Sequence, residues 1–213
     1  MARIDISKGF TSEDVKTAVA ALKDGFVIVV ALENSYALAA NAFFHDAVRA
    51  MHVLRGDELG VAAQVAIASA KNIDGIARNI SDGARKLMQN FWPGLLSLNL
   101  KPQAGLSWDL GDAQQLDCIS VRVPKSDFFL EVLKESGPLA IASAARVGES
   151  AICDPIDLAF TDAQVSAIFD AGVLSAGVPS TVVDFTGQNG RITRVGAISK
   201  SEITALVSDI YTE

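Results

Sequence analysis

Cysteine, histidine and long apolar runs are what this chain has least of. Its two cysteines, Cys118 and Cys153, stand far apart with no CxxC spacing. That excludes a disulfide framework and a cysteine-rich zinc site, leaves room for one structural disulfide at most, and fits a reducing cytoplasm. The two histidines, His45 and His52, lie two turns apart on one predicted helix, too far to share a metal without a third ligand between them. They read as surface or boundary residues, and no metal site is expected. The opening stretch Met1–Phe10 lacks the apolar core of a signal peptide. Apolar runs such as Phe26–Leu32 fall far short of the ~20 residues that span a bilayer, so no membrane partner is expected. Neither GxxxxGK(S/T) nor GxGxxG occurs, and no Ser/His/Asp or Cys/His arrangement has local support. Basic excess is missing too. A formal net charge of −7 argues against strong nonspecific nucleic-acid binding, while still permitting a local basic pocket for a nucleotide.

What is present is core-forming sequence. Half of the 213 residues are hydrophobic and a fifth are charged, enough for one domain over 1–213 with no linker, repeat or low-complexity tract. Thr11 to Asp14 reads as a capping box that opens a helix closed by Gly25. Further helices are predicted over 46–54 ending at Gly56, over 73–79, over 81–90 behind a Ser81 cap, from Ser126 to about Glu135, and from Ser199 to about Ile210. Strands are predicted over 26–30, 95–100, 118–123, 139–142, 181–185 and 192–194, the last two flanking a Gly-containing hairpin loop. Val61–Ala68 fits a strand or a buried helical turn. The expected fold class is α/β, a twisted, open, mixed sheet with flanking helices.

Short polar turns follow several of these strands: Ala31–Tyr36, Arg55–Glu58, Ala142–Arg146, Ser180–Asp184 and Arg194–Ile198. Strand ends are where open α/β sheets bind ligands, and small residues there let backbone amides approach an anion. Taken singly each is an ordinary turn. Together with Phe91-Trp-Pro-Gly94, Val121-Arg-Val-Pro124, Ser180-Thr-Val-Val-Asp184, and Arg194 with Gly196-Ala-Ile-Ser199, their order resembles the YrdC-like (YrdC/YciO) family over residues 12–204. The resemblance implies a YrdC-like fold with a positively lined concave face. It also implies a nucleotidyltransferase that makes threonylcarbamoyl-AMP from L-threonine, bicarbonate and Mg-ATP, with no organic cofactor. Its product serves tRNA modification, so a tRNA or a tRNA-modification partner protein is the implied macromolecular contact.

Carried over residue by residue, the resemblance assigns catalysis to Arg55 and Ser143. It assigns nucleotide or phosphate binding to Ser180, Arg194, Arg122 and Arg146, and substrate binding to Glu33 and Tyr36. Four positions depart from the family pattern. Leu32 and Asn34 stand where the family has threonines, Asp57 where it has a cation, and Ala145 where it has an asparagine. A unit charge pair at ~5 Å and effective ε of ~20 is worth about 3 kcal/mol, so an acid facing a triphosphate would cost on the order of 6 kcal/mol relative to a cation. Asp57→Arg is then expected to tighten ATP binding at least tenfold if Asp57 faces the triphosphate, with Arg146 the nearest candidate in the sequence for restoring the charge. Two readings stay open: an enzyme acting on threonine or another small amino acid, and a catalytically impaired paralogue that binds nucleotide, RNA or protein.

Overall fold

The computed structural model describes residues 2–160, 164–187 and 189–212. Helix α1 (Ser12–Lys23) starts where the cap is expected. Thr11 Oγ1 accepts from the Asp14 amide at 3.3 Å, and Asp14 Oδ2 accepts from the Thr11 amide at 2.7 Å. Helix α2 (His45–Arg55) ends on Gly56, whose φ of 73° lies in the left-handed region that glycine enters at little cost. Ser81 caps α3 (Asp82–Phe91) by accepting from the Ala84 amide at 3.2 Å. Ser126 precedes α4 (Asp127–Ser136) without capping it; its hydroxyl donates to the Ala31 carbonyl at 2.9 Å and ties two loops together. A second capping box, Ser199 with Glu202, opens α5 (Lys200–Leu206). This helix stops well short of Ile210, because Val207 takes up an extended conformation.

Strand β2 (Ile28–Ala31) is buried on both faces, as its unbroken apolar run requires. It turns through residues 32–35 into β3 (Tyr36–Asn41), which pairs with it antiparallel. The latter was not foreseen, since its alanine-rich sequence carries little strand propensity of its own. Also unforeseen are β1 (Ala2–Asp5), β9 (Ala167–Asp170) and the short β12 (Tyr211–Thr212). The Val61–Ala68 ambiguity resolves as strand β4 (Gln64–Ala66). The expected helix over 73–79 is instead a 3₁₀ turn, Ala70–Gly75, followed by β5 (Ala77–Arg78), which pairs with Pro102 and Lys101. The remaining strands fall as predicted: β6 (Leu96–Pro102), β7 (Ile119–Arg122), β8 (Leu139–Ser143), β10 (Thr181–Asp184) and β11 (Arg191–Arg194). The hairpin between β10 and β11 is antiparallel; Gln188 in its loop lies outside the described residues.

These strands form one mixed sheet in the order β1-β9-β2-β3-β8-β4-β7-β6-β10-β11-β12, with β5 on the side of β6. Each face carries its own apolar core. Val15, Val19 and Leu22 of α1 and Phe128, Phe129 and Val132 of α4 cover one. Ala47, Val48 and Met51 of α2, Leu87 and Met88 of α3, and Ile203 of α5 cover the other. Strand β2 serves both, turning Ile28 and Val30 to the first and Val29 and Ala31 to the second. No helix among the described residues is long and apolar enough to cross a membrane. Cys118 and Cys153 are both free.

Candidate active site

Loops and strand ends from across the sheet converge on an open cleft of about 400 Å³. Leu32 and Asn34 reach it from the turn after β2, Arg55 from the end of α2, Gln64 from the start of β4 and Arg122 from the end of β7. Ser143 closes β8, Ser180 immediately precedes β10 and Arg194 closes β11; all three line the same cleft. Positions as far apart in the chain as Leu32 and Arg194 thus share one concave surface.

Ser180 and Arg194 are locked together. Arg194 donates from Nε to the Ser180 carbonyl and from Nη2 to Ser180 Oγ, both at 3.0 Å. The geometry depends on Gly196, where a Cβ would overlap the Pro179 carbonyl and approach Ser180 C to 2.6 Å. Thr181 completes the clamp: its Oγ1 accepts from the Gly196 amide at 2.9 Å and the Ile198 amide at 3.0 Å, and donates to the Ile198 carbonyl at 2.6 Å. Burial and the neighbouring Arg122 charge lower the Arg194 pKa, the mark of a guanidinium short of anionic partners. No carboxylate pairs with it among the described residues.

Arg122 is 7% exposed at its side chain and ion-pairs with Glu33, itself 13% exposed. Glu33 Oε1 also accepts from the Lys125 amide at 2.7 Å, and Arg122 Nη2 donates to the Gly94 carbonyl at 3.2 Å. Glu33 Oε2 and Arg122 Nε are buried with no hydrogen-bond partner among the described residues. Glu33 therefore stands behind the cleft, holding Arg122, rather than on its surface.

The charge argument made from the sequence leaves out a pairing that Asp57 makes in the structure. Asp57 borders the cleft, but its side chain is 4% exposed, with Oδ2 accepting from Arg55 Nε at 2.9 Å and from His52 Nδ1 at 2.8 Å. His52 Nε2 lies 2.8 Å from the Leu110 carbonyl, so the ring is held at both of its nitrogens. Burial pushes the Asp57 carboxyl up, but the hydrogen bonds and charges of Arg55 and His52 outweigh it and hold the group below the usual carboxylate range. Arg55 Nη1 in turn donates to the Ser143 carbonyl at 2.8 Å. The acid at position 57 thus aims a cation into the cleft. His52, read from sequence as a boundary residue, lines the cleft as part of this cluster.

Two further expectations are corrected. Tyr36 is fully buried and does not line the cleft. Its hydroxyl donates to the Gly172 carbonyl at 2.7 Å and accepts from the Ala171 amide at 3.0 Å, fastening the segment after β9. Arg146 is exposed and borders a separate small cavity of about 90 Å³ with Leu54, Glu149 and Asp157. Burial, above all, pushes the Tyr36 phenol up to about 12. A raised folded value means that its stabilising contribution is complete below the unfolded pKa near 10 and is lost as pH rises toward 12. Tyr36→Phe should therefore lower stability by about 1–3 kcal/mol at neutral pH and flatten the fall in stability at alkaline pH. Urea denaturation across pH 7–12 measures both, and nucleotide affinity should change less than about twofold.

A mixed α/β sheet that sets three arginines and two serine hydroxyls around one open cleft defines an α/β protein with the charge and donors to hold an anion. The comparisons specify which. The Sua5/YciO/YrdC family model, described as "Telomere recombination", matches residues 20–196, and the chain belongs to that family. A Mycobacterium tuberculosis protein provisionally named a threonylcarbamoyl-AMP synthase is 34% identical over 92% of this chain and 90% of its own length. The Bacillus subtilis threonylcarbamoyl-AMP synthase is 30% identical over 99% of this chain and 62% of its own. The crystal structure of Pyrococcus abyssi Sua5 complexed with L-threonine superposes with a TM-score of 0.91 at 25% identity, covering all of this chain and 63% of that one. The chain thus spans under two thirds of these last two relatives.

Proposed function

We propose that the chain makes L-threonylcarbamoyl-AMP from L-threonine, bicarbonate and Mg-ATP, releasing pyrophosphate, with the magnesium arriving on the nucleotide. The observation that carries this reading is Arg194. It is a guanidinium opening on the cleft beside Arg122 with no carboxylate partner among the described residues, so it calls for an anionic ligand. Arg55 and Arg194 offset triphosphate charge, and Ser143 and Ser180 donate to phosphate or carbamate oxygens. Bicarbonate loses hydroxide to give carbon dioxide, and the threonine amine adds to its carbon, giving up a proton that leaves with the hydroxide as water. A carbamate oxygen then attacks the α-phosphorus as the bond from that phosphorus to the α–β bridging oxygen breaks and pyrophosphate leaves. On this reading the protein acts by positioning the reactants and stabilising negative charge. We place the activity in the cytoplasm, with a tRNA-modification partner using the product.

Mixing the protein with Mg-ATP, bicarbonate and L-threonine should release pyrophosphate only when all are present. Arg194→Ala removes a charge-assisted contact worth about 1.5–3 kcal/mol, so turnover should fall about ten- to a hundredfold. Other small amino acids belong in the same assay, because Leu32 is apolar and the Asn34 amide is engaged at 2.9 Å by the Val178 carbonyl. These replacements and Ala145 favour the second reading, a nucleotide- or macromolecule-binding paralogue. That reading stands if folded protein at saturating ATP gives no bicarbonate-dependent release with any amino acid.

A further inference from the structure

A row of polar side chains runs from one side of the cleft to another through otherwise apolar sheet. Ser97 is the second residue of β6, between Leu96 and Leu98, and all three are fully buried. A buried hydroxyl in a strand interior is costly unless both its proton and its lone pairs are engaged. Here they are. Gln64 Nε2 donates to Ser97 Oγ at 2.8 Å and to Ser120 Oγ at 3.2 Å, and Ser97 Oγ lies 2.8 Å from Ser180 Oγ. The line crosses from β4 through β7 and β6 to the residue before β10, and both Gln64 at its head and Ser180 at its end line the cleft.

The direction of the protons follows from the donor inventory. Either hydroxyl of the Ser97–Ser180 pair can donate to the other, but Ser97 already accepts from the Gln64 amide, and its own buried proton is satisfied among the described residues only when it goes to Ser180 Oγ. Ser180 Oγ also receives Arg194 Nη2 at 3.0 Å, and a guanidinium can only donate. Both Ser180 lone pairs are then occupied. With the row in this direction, its remaining proton has no acceptor among the described residues and is available to a ligand in the cleft that Ser180 lines. Reversing the amide would draw the Ser97 proton to Gln64 Oε1, draw the Ser180 proton onto Ser97, and leave Ser180 presenting a lone pair to the ligand.

We propose that Gln64 is a positioning residue: through Ser97 it sets the Ser180 hydroxyl as a hydrogen-bond donor toward a ligand phosphate oxygen. This rests on the proposed function only in taking a phosphate as the cleft's ligand.

Inorganic pyrophosphate, titrated by calorimetry, is the probe. Gln64→Glu places an obligate acceptor at the head of the row, reverses its polarity, and should weaken pyrophosphate binding about ten- to a hundredfold. Ser97→Ala cuts the row and alone should cost about threefold. Because it frees Ser180 from the reversed row, adding Ser97→Ala to Gln64→Glu should partly restore binding. A general charge effect at Gln64 predicts the opposite, two losses that simply add. Should Gln64→Glu fail to fold, Gln64→Met and Ser97→Ala should each weaken binding about threefold and together do no worse than either alone. Additive losses in either pair, or wild-type protein that binds no pyrophosphate, overturn the proposal. Restoration in a protein that shows no synthase turnover would retain the row and reject the synthase reading. Turnover with additive losses would do the reverse.

Discussion

Asp57→Arg is expected to destabilise the protein by about 3–5 kcal/mol, the scale on which removing one member of a buried ion pair acts. It should not tighten nucleotide binding. The carboxylate bridges His52 and Arg55 while 4% exposed, so the substitution sets a second guanidinium beside Arg55 and removes the anion that both neighbours share. Arg55, released from Asp57, would keep only its bonds to the Ser143 and Ala145 carbonyls and lose its fixed aim. Urea denaturation gives the stability and calorimetry with Mg-ATP the affinity. A variant of normal stability that binds Mg-ATP tenfold tighter would show that position 57 faces the phosphates after all. Asp57→Asn tests the same cluster at acid pH. The folded carboxyl sits below its ordinary value, so its contribution is complete above the unfolded pKa near 4 and is lost as pH falls through the lower folded value. The acid limb of wild-type stability below about pH 4 should therefore be steeper than that of Asp57→Asn.

Much of the fold was legible in the sequence because local and tertiary preferences agree. Thr11 with Asp14, Ser81, and Ser199 with Glu202 announce their helices by chemistry that the helices then use. Residues 26–30 read as a buried strand because β2 is covered on both faces. Where the reading failed, tertiary pairing overrode weak local signals. Strand β3 is alanine-rich and exists through its ladders to β2 and β8, and β1 and β9 form beside each other at the sheet's edge. The stretch 73–79 has helical spacing, yet the 3₁₀ turn ends at Gly75 and Arg78 is drawn into register with Lys101.

The site was legible as a set of positions but not as a set of partners. Arg55, Arg122, Ser143, Ser180 and Arg194 all reach the cleft, because motif order is kept in a linear sequence. Burial and pairing are not. Tyr36 looks like a site residue by its place after a polar turn, whereas the alternation of β3 carries its ring into the core. The charge of Asp57 was visible; that Gly56 turns the chain so the carboxylate meets the helix's own last turn was not. His52 could have been recognised by its closeness to Asp57 across the left-handed glycine, and Gln64 as a long polar side chain in a run of small apolar ones.

The second large effect is expected at Arg122, where stability and ligand binding should separate. Arg122→Ala leaves Glu33 in a 13%-exposed site with the Lys125 amide as its remaining donor, a loss of about 3–5 kcal/mol. The wild-type pair is itself imperfect, since Glu33 Oε2 and Arg122 Nε lack partners. A pair so placed adds little net stability for its desolvation cost, and a role in the cleft explains its presence better. Arg122→Met together with Glu33→Gln removes both charges at similar volume and should recover most of the stability lost in Arg122→Ala, to within about 1–2 kcal/mol of wild type. Affinity should not recover with it, because the cleft still lacks one of its three guanidiniums; pyrophosphate and Mg-ATP should bind about tenfold or more weakly in both variants. Denaturation and calorimetry on the same samples read the two quantities separately. If the double variant regained affinity along with stability, Arg122 would be a structural clamp for the 31–35 turn, and the anion would be held by Arg55 and Arg194 alone.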